Sequence, residues 1–197
     1  MCVMAEVLST FLLQTGARAP EFSLPDADGV ITTLDDVTGI NGVVVIFACN
    51  HCPFVIHLAD AVGRFAREID TRGVGTVAIM PNDFTKYPLD APENMQAFAR
   101  AHGWDFPYLV DESQQVAKAY SAACTPDFYL FDADLRLVYS GQFDDSRPRS
   151  GLEPSGADLG EAVRRMIAGE EPMVRPYPSS GCNIKWKPGN EPEWSGI

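Results

Sequence analysis

Cys49-Asn50-His51-Cys52 carries the strongest chemical signal in the chain. Two cysteines three positions apart suit thiol–disulfide exchange, or half of a metal site. The reactive form of such a pair is the thiolate, and a thiol of pKa about 8.5 is only about 3% ionised at pH 7. Lowering that value by about 2 units makes the anion the major form, at about 2.7 kcal/mol of differential stabilisation. An imidazolium at His51 beside Cys49 would favour the thiolate further, and with it the reduced state. The bland alternative for His51 is a solvated residue at a helix start. Zinc asks for four ligands, usually from two such pairs, and the chain has one C-x-x-C. Cys124, Cys182, His57 and His102 are what remains to complete a site, so no metal and no cofactor is expected.

The elements around the motif are legible from periodicity. Val43–Phe47 is continuously apolar and β-branched, as in a strand buried on both faces, and it runs directly into Cys49. Over Pro53–Arg72, apolar residues at Val55, Leu58, Val62, Phe65, Ala66 and Ile69 mark an amphipathic helix, with Pro53 in its first turn. The motif therefore bridges a strand end and a helix start, where partial positive charge and unpaired N–H groups favour an anion. Cys49 is placed to attack, and Cys52, one turn inward, to resolve.

Pro20–Thr33 reads as two short strands around Pro25–Gly29, and a second buried strand is expected over Val74–Met80. Helices are expected over Pro92–His102, Ser113–Ala119 and Ala157–Ala168, the last with Val163 and Ile167 facing inward. Phe128–Phe131 and Leu135–Tyr139 form a hairpin around Asp132-Ala133-Asp134. A parallel pair followed by an antiparallel one implies an α/β fold, a mixed central sheet with helices on both faces. Residues 1–18 read as an N-terminal arm, 19–169 as the domain, and 170–197, rich in Pro, Gly and Ser, as an extended tail packing on it.

Composition narrows the function classes. The 197 residues are 46% hydrophobic, enough to fill one core, and the net charge of −12 excludes a phosphate-binding surface, so no nucleic-acid partner is expected. No apolar run is long enough to cross a bilayer. The opening Met1–Gly16 lacks basic residues before Val7–Leu13 and carries Glu6, unlike a signal peptide. Five cysteines, unevenly spread, do not form a secreted disulfide framework. A reduced compartment, the cytoplasm, is the expected location.

Three stretches carry a family likeness. Phe47-Ala48-Cys49-Asn50-His51-Cys52-Pro53-Phe54-Val55, Cys124-Thr125-Pro126-Asp127-Phe128-Tyr129-Leu130-Phe131-Asp132 and Gly181-Cys182-Asn183-Ile184-Lys185-Trp186 resemble the peroxiredoxin-like branch of the thioredoxin superfamily. Ala19-Pro20-Glu21-Phe22-Ser23-Leu24 is similar to the start of alkyl hydroperoxide reductase/thiol-specific antioxidant domains. The resemblance implies a thioredoxin-like core with an added N-terminal β-hairpin. It also implies a cis Thr125-Pro126 step that faces the C-x-x-C and helps bind a partner's backbone. Two positions depart from the family patterns. The peroxiredoxin motif P-x-x-x-T-x-x-C, aligned on Cys52-Pro53, puts Val45 at its proline and Cys49 at its threonine. The carboxylate that thioredoxins bury six residues before the first cysteine is replaced by Val43.

These features lead to a thiol–disulfide oxidoreductase. Cys49 attacks a disulfide-bearing protein or a small thiol substrate, Cys52 resolves, His51 tunes the potential, and Thr125 and Pro126 shape the docking site. The rival is a thiol peroxidase with Cys49 or Cys52 reacting with hydroperoxide. A third reading is a non-enzymatic metal-binding or partner-binding domain. Cys124 reads as a further redox thiol or a small buried hydrophobe. Cys182 pairs with Cys124 or Cys49 if the tail folds back over the motif; otherwise the tail packs through Trp186. Cys2 is incidental. Asn82-Asp83, at the carboxyl end of the second buried strand, reads as part of a substrate groove or as plain loop.

Overall fold

The computed structural model describes residues 6–174 and 176–196. A short strand β1 (Glu6–Leu8) leads to the antiparallel hairpin β2 (Ser23–Pro25) and β3 (Ile31–Thr33), the N-terminal addition expected from the resemblance. Helix α1 (Leu34–Val37) follows at once, started by a reciprocal cap in which Thr33 and Asp36 bond each other's backbone N–H.

Strand β4 (Gly42–Phe47) is buried at all six positions, as its unbroken apolar sequence requires. It pairs in parallel with β5 (Val74–Met80), and the crossover between them is α2 (Pro53–Asp70). After α3 (Pro92–Ala101), β6 (Tyr108–Val110) adds in parallel to the far side of β5. The chain then makes α4 (Gln115–Ala119), a two-residue strand β7 (Cys124–Thr125), and the hairpin β8 (Asp127–Phe131) and β9 (Leu137–Gly141). β8 lies antiparallel to β4, giving the sheet order β6-β5-β4-β8-β9. Helix α5 (Ala157–Ile167) and a last strand, β10 (Ser180–Asn183), complete the sequence.

Alternation along β4 divides the core. Val44 and Ile46 face one cluster with Val55, Leu58 and Val62 of α2 and Leu159 and Val163 of α5. Val43, Val45 and Phe47 face the other, with Leu34, Val116, Tyr120, Tyr129 and Phe131. Each fully buried Val, Ile or Phe contributes roughly 1.5–3 kcal/mol relative to exposure, so both helical layers are held by the same strand. This is the mixed, doubly covered sheet that the strand pattern implied, and it has the thioredoxin-like form that the resemblance implied. No helix among the described residues is long and apolar enough to cross a membrane.

Several local expectations need correction. Ile167 does not face inward: it ends α5 at 38% exposed, while Leu159, Ala162 and Val163 make the buried stripe. The second hairpin strand is Leu137–Gly141, because Leu135 takes φ +57° in the turn and a bulge shifts the register at Leu130/Phe131. Tyr108–Val110, which no expected element covered, is a sheet strand too short to show a period. The tail is not merely extended. β10 pairs antiparallel with both β1 and β7, forming a second, three-stranded sheet over the end of the first.

Candidate active site

β4 delivers the chain through Ala48 to Cys49, and α2 starts at Pro53 with Cys52 as its N-cap residue. Cys52, rather than Cys49, therefore stands at the helix N-terminus. The Thr125-Pro126 peptide is cis and faces the motif. The Thr125 hydroxyl lies 3.3 Å from Cys49 Sγ, and the Thr125 carbonyl lies 3.1 Å from Cys52 Sγ. The tail does fold back, but the sulfur that Cys182 meets is Cys52 Sγ, at 2.7 Å, and neither Cys49 nor Cys124. Trp186 also packs, half-buried, against the opposite core. Cys124 is directed at the Pro126 carbonyl, 3.5 Å away. All four of these cysteines are free and no more than 2% exposed. Cys2 lies outside the described residues.

Proton affinities separate the clustered thiols. Burial, then the Cys52 sulfur and the Asp90 carboxylate, push Cys49 well above the usual thiol value. Donation to Cys52, followed by burial, pushes Cys182 up as well. Burial opposes charge on Cys52 too, but the Cys182 and Cys49 thiols and the Val55 N–H outweigh it and hold Cys52 well below the ordinary value. The Val55 N–H acts from the first helical turn, although Cys52 makes no close side-chain cap bond. The Thr125 carbonyl accepts the proton of the neutral Cys52 thiol and so resists ionisation, a weaker influence than the donors on the other side. The arrangement is one favoured anion held by two protonated thiols. Burial and the Asp127 carboxylate push Cys124 up, which makes it a poor nucleophile.

Asp90 is a site residue that sequence reasoning did not find. It ends a 3-10 turn, Pro88–Asp90, in the loop after β5, and it is fully buried beneath the motif. Its carboxylate accepts from the Asn50 N–H at 2.8 Å and from Asn82 Nδ2 at 2.8 Å. His51 Nδ1 lies 2.7 Å from Asp90 Oδ2 but off the hydrogen-bond direction, so that contact is electrostatic. The His51 ring also stacks on Tyr87, with centroids 5.9 Å apart and planes within 2°. Any positive charge on His51 thus faces a carboxylate that works against ionisation of Cys49. Asn82 belongs to the same framework: it donates to Asp90 and accepts from the Lys185 N–H at 2.9 Å, joining the loop to the tail. An isolated aspartate in Tyr87-Pro88-Leu89-Asp90-Ala91-Pro92 offers no spacing from which to find it.

One ligand atom each from Cys49, His51 and Asp90 lie within 4.8 Å of one another, the one such three-donor group among the described residues. The Asp90 oxygens already serve two N–H donors, so a metal would compete with the bonds that hold the loop.

Gly181 lets the tail reach the motif. A Cβ there would sit 2.1 Å from the Thr125 carbonyl oxygen, a backbone atom that cannot swing aside. Gly181→Ala is expected to lower stability by about 1–3 kcal/mol and to loosen β10 from β7, measured by denaturant unfolding. An unchanged midpoint would contradict this close approach.

Solved structures and curated relatives agree with the architecture. An uncharacterized conserved protein from Geobacillus kaustophilus is 46% identical with a TM-score of 0.90, covering 94% of this chain and 98% of that one. A provisionally named peroxiredoxin of Mycobacterium tuberculosis is 33% identical over 117 residues, 57% of this chain and 67% of that protein. Peroxiredoxin Bcp of Escherichia coli is 28% identical over 145 residues, 68% of this chain and 86% of that protein. At the level of fold alone, peroxidoxin BcpB of M. tuberculosis superposes with a TM-score of 0.59 at 20% identity, covering 82% of this chain and 98% of that one. A secreted disulfide oxidoreductase of the same organism does so at 0.55 and 19%, covering 73% and 94%. The AhpC/TSA family pattern matches residues 15–140, the segment from the N-terminal hairpin through the C-x-x-C to β9, and the chain belongs to that family of thioredoxin-fold thiol oxidoreductases.

Proposed function

We propose that the chain is a thiol peroxidase of a reduced compartment such as the cytoplasm, in which the Cys52 thiolate attacks a small hydroperoxide. The observation that carries this reading is geometric: Cys52 is fully buried at the start of α2 with Cys182 Sγ 2.7 Å away, and the proton affinities around it favour its thiolate. A protein disulfide must bring two flanking chain segments to the attacking sulfur, and a site closed over on every side gives them no room. A hydroperoxide needs to bring only two oxygens. Family membership and the peroxiredoxin-named relatives favour the same chemistry.

The reaction uses few parts. Cys52 attacks the distal oxygen, the O–O bond breaks, and the alkoxide or hydroxide leaves and takes up a proton. Cys52 becomes a sulfenic acid, which a neighbouring thiol converts to a disulfide with loss of water. An external dithiol returns the pair to the reduced state. Thr125 holds Cys49 and Cys52 from the opposite side, and His51 and Asp90 fix the loop that closes over them.

Exchange through Cys49 remains the second reading. Cys49 and Val45 stand where the family motif has its peroxide-orienting threonine and proline. The two readings separate when one preparation is assayed for hydroperoxide consumption and for reduction of a protein disulfide, with the same dithiol as reductant. Saturable hydroperoxide consumption is expected. Background-level consumption with accelerated disulfide reduction would transfer the assignment to exchange.

The pH profile supplies a further check. A thiol held well below its usual value is already ionised at neutral pH, so the second-order rate with hydrogen peroxide should stay level between pH 6 and 8. An ordinary thiol of pKa about 8.5 would instead react up to about 80-fold faster at the upper limit. Stopped-flow measurement on reduced protein distinguishes the two slopes.

A further inference from the structure

The tail brings a third sulfur to the site through backbone pairing. In β10, Cys182 stands opposite Thr125 of β7 on one side and Glu6 of β1 on the other. Gly181 beside it removes the side chain that would hold the strands apart. Cys182 is thereby placed by two strands, and its sulfur lies 2.7 Å from Cys52 Sγ at the start of α2.

We propose that Cys182 is the thiol that resolves oxidised Cys52, so that each catalytic cycle ties the tail strand covalently to the N-terminus of α2. This rests on the peroxidase reading. After Cys52 attacks the hydroperoxide and becomes a sulfenic acid, Cys182 attacks the Cys52 sulfur. The S–O bond breaks, the hydroxyl leaves with the Cys182 proton as water, and the S–S bond forms. The sulfurs need to close by only about 0.7 Å to reach a bond length near 2.05 Å. The linkage therefore forms with β7, β10 and α2 in place.

Charge favours Cys182 over Cys49 once the first step has occurred. The main influence keeping the proton on Cys182 is its donation to the Cys52 anion, and conversion to neutral sulfenic acid removes that anion. The Lys185 ammonium remains nearby and favours the Cys182 thiolate. Cys49 gains less from the same change, because burial and the Asp90 carboxylate still oppose its ionisation and outweigh the Thr125 hydroxyl, which favours it. The motif cysteine then serves as a donor to the Cys52 anion, and the tail cysteine as its covalent partner.

Disulfide mapping tests this on the full-length protein. Reduced protein receives one equivalent of hydrogen peroxide, free thiols are alkylated, and cross-linked peptides are identified by mass. A Cys52–Cys182 pair is expected. A Cys49–Cys52 pair formed with consumption of the peroxide overturns the assignment of Cys182 and leaves the peroxidase reading intact. If no peroxide is consumed, the peroxidase reading fails, and the proposal that Cys182 resolves a peroxide-oxidised Cys52 fails with it. A parallel sample oxidised with diamide then shows separately whether the two sulfurs can bond. In Cys182→Ser, checked for native circular dichroism, a dimedone adduct on Cys52 should accumulate after one equivalent. Absence of the adduct, with a Cys49–Cys52 bond in its place, overturns the proposal.

Discussion

Replacing Cys52 with serine is expected to lower hydroperoxide turnover by at least about a thousandfold, as loss of a nucleophile does, while Cys49→Ser keeps a measurable rate. The asymmetry follows from where the charge is stable. Cys52 caps α2 and receives two thiol donors, whereas Cys49 is buried against the Asp90 carboxylate. A serine hydroxyl at position 52 does not ionise near neutral pH, and Cys49 cannot take over because its own anion is opposed by burial and by Asp90. At position 49, serine still has a hydroxyl to donate to the Cys52 anion, so the loss should be about tenfold or less, the value of part of one hydrogen bond to a charged group. Steady-state hydroperoxide consumption with a dithiol reductant reads both variants, and thermal unfolding confirms that each is folded. The reverse pattern, with Cys49→Ser inactive and Cys52→Ser retaining the first oxidation step, would assign the attack to Cys49 and restore the exchange mechanism.

Asp127 gives the second large effect, on stability rather than turnover. It follows Pro126 at the start of β8, is fully buried, and has one carboxylate oxygen accepting from the Tyr129 hydroxyl at 3.0 Å while the other has no partner. Burial raises its pKa from 3.8 to about 7. Between those values the folded chain holds a proton that the unfolded chain has released. The stabilising contribution is therefore full below the unfolded value and is lost as pH rises through the folded one. Above pH 7 the cost is on the order of 4 kcal/mol. Asp127→Asn keeps the shape and never ionises. It should be near neutral at pH 4 and more stable than the parent at pH 8, with the gap opening between those limits. Denaturant unfolding of both proteins across that range measures the difference. A gap that does not grow with pH would show that Asp127 is solvated or already charged in the native state.

Sequence and structure agree most closely where one strand or one long helix decides the matter. Val43–Phe47 has no polar residue to turn outward, so it had to be a central strand. The stripe from Val55 to Ile69 had to lie against it. With Pro53 unable to donate to a preceding turn, the C-x-x-C had to occupy the junction between them. These are local constraints, and they suffice to place Cys49, His51 and Cys52 at the carboxyl end of a sheet.

Which cysteine carries the charge was not decided by those constraints. Spacing alone favours the first cysteine of the pair. The proposed reversal toward Cys52 rests on Asp90, brought in by a loop after β5, and on Cys182, brought in by a strand 130 residues beyond Cys52. Neither has a periodic signature: Asp90 is one acid in a proline-rich turn, and Ser180–Asn183 becomes a strand only because β1 and β7 offer it edges on both sides. Ionisation of a buried sulfur depends on every donor and every charge within a few ångströms. The cysteines on which the proposed redox chemistry rests were therefore legible from the chain itself. Their division of labour exists only after distant segments have been packed against one another.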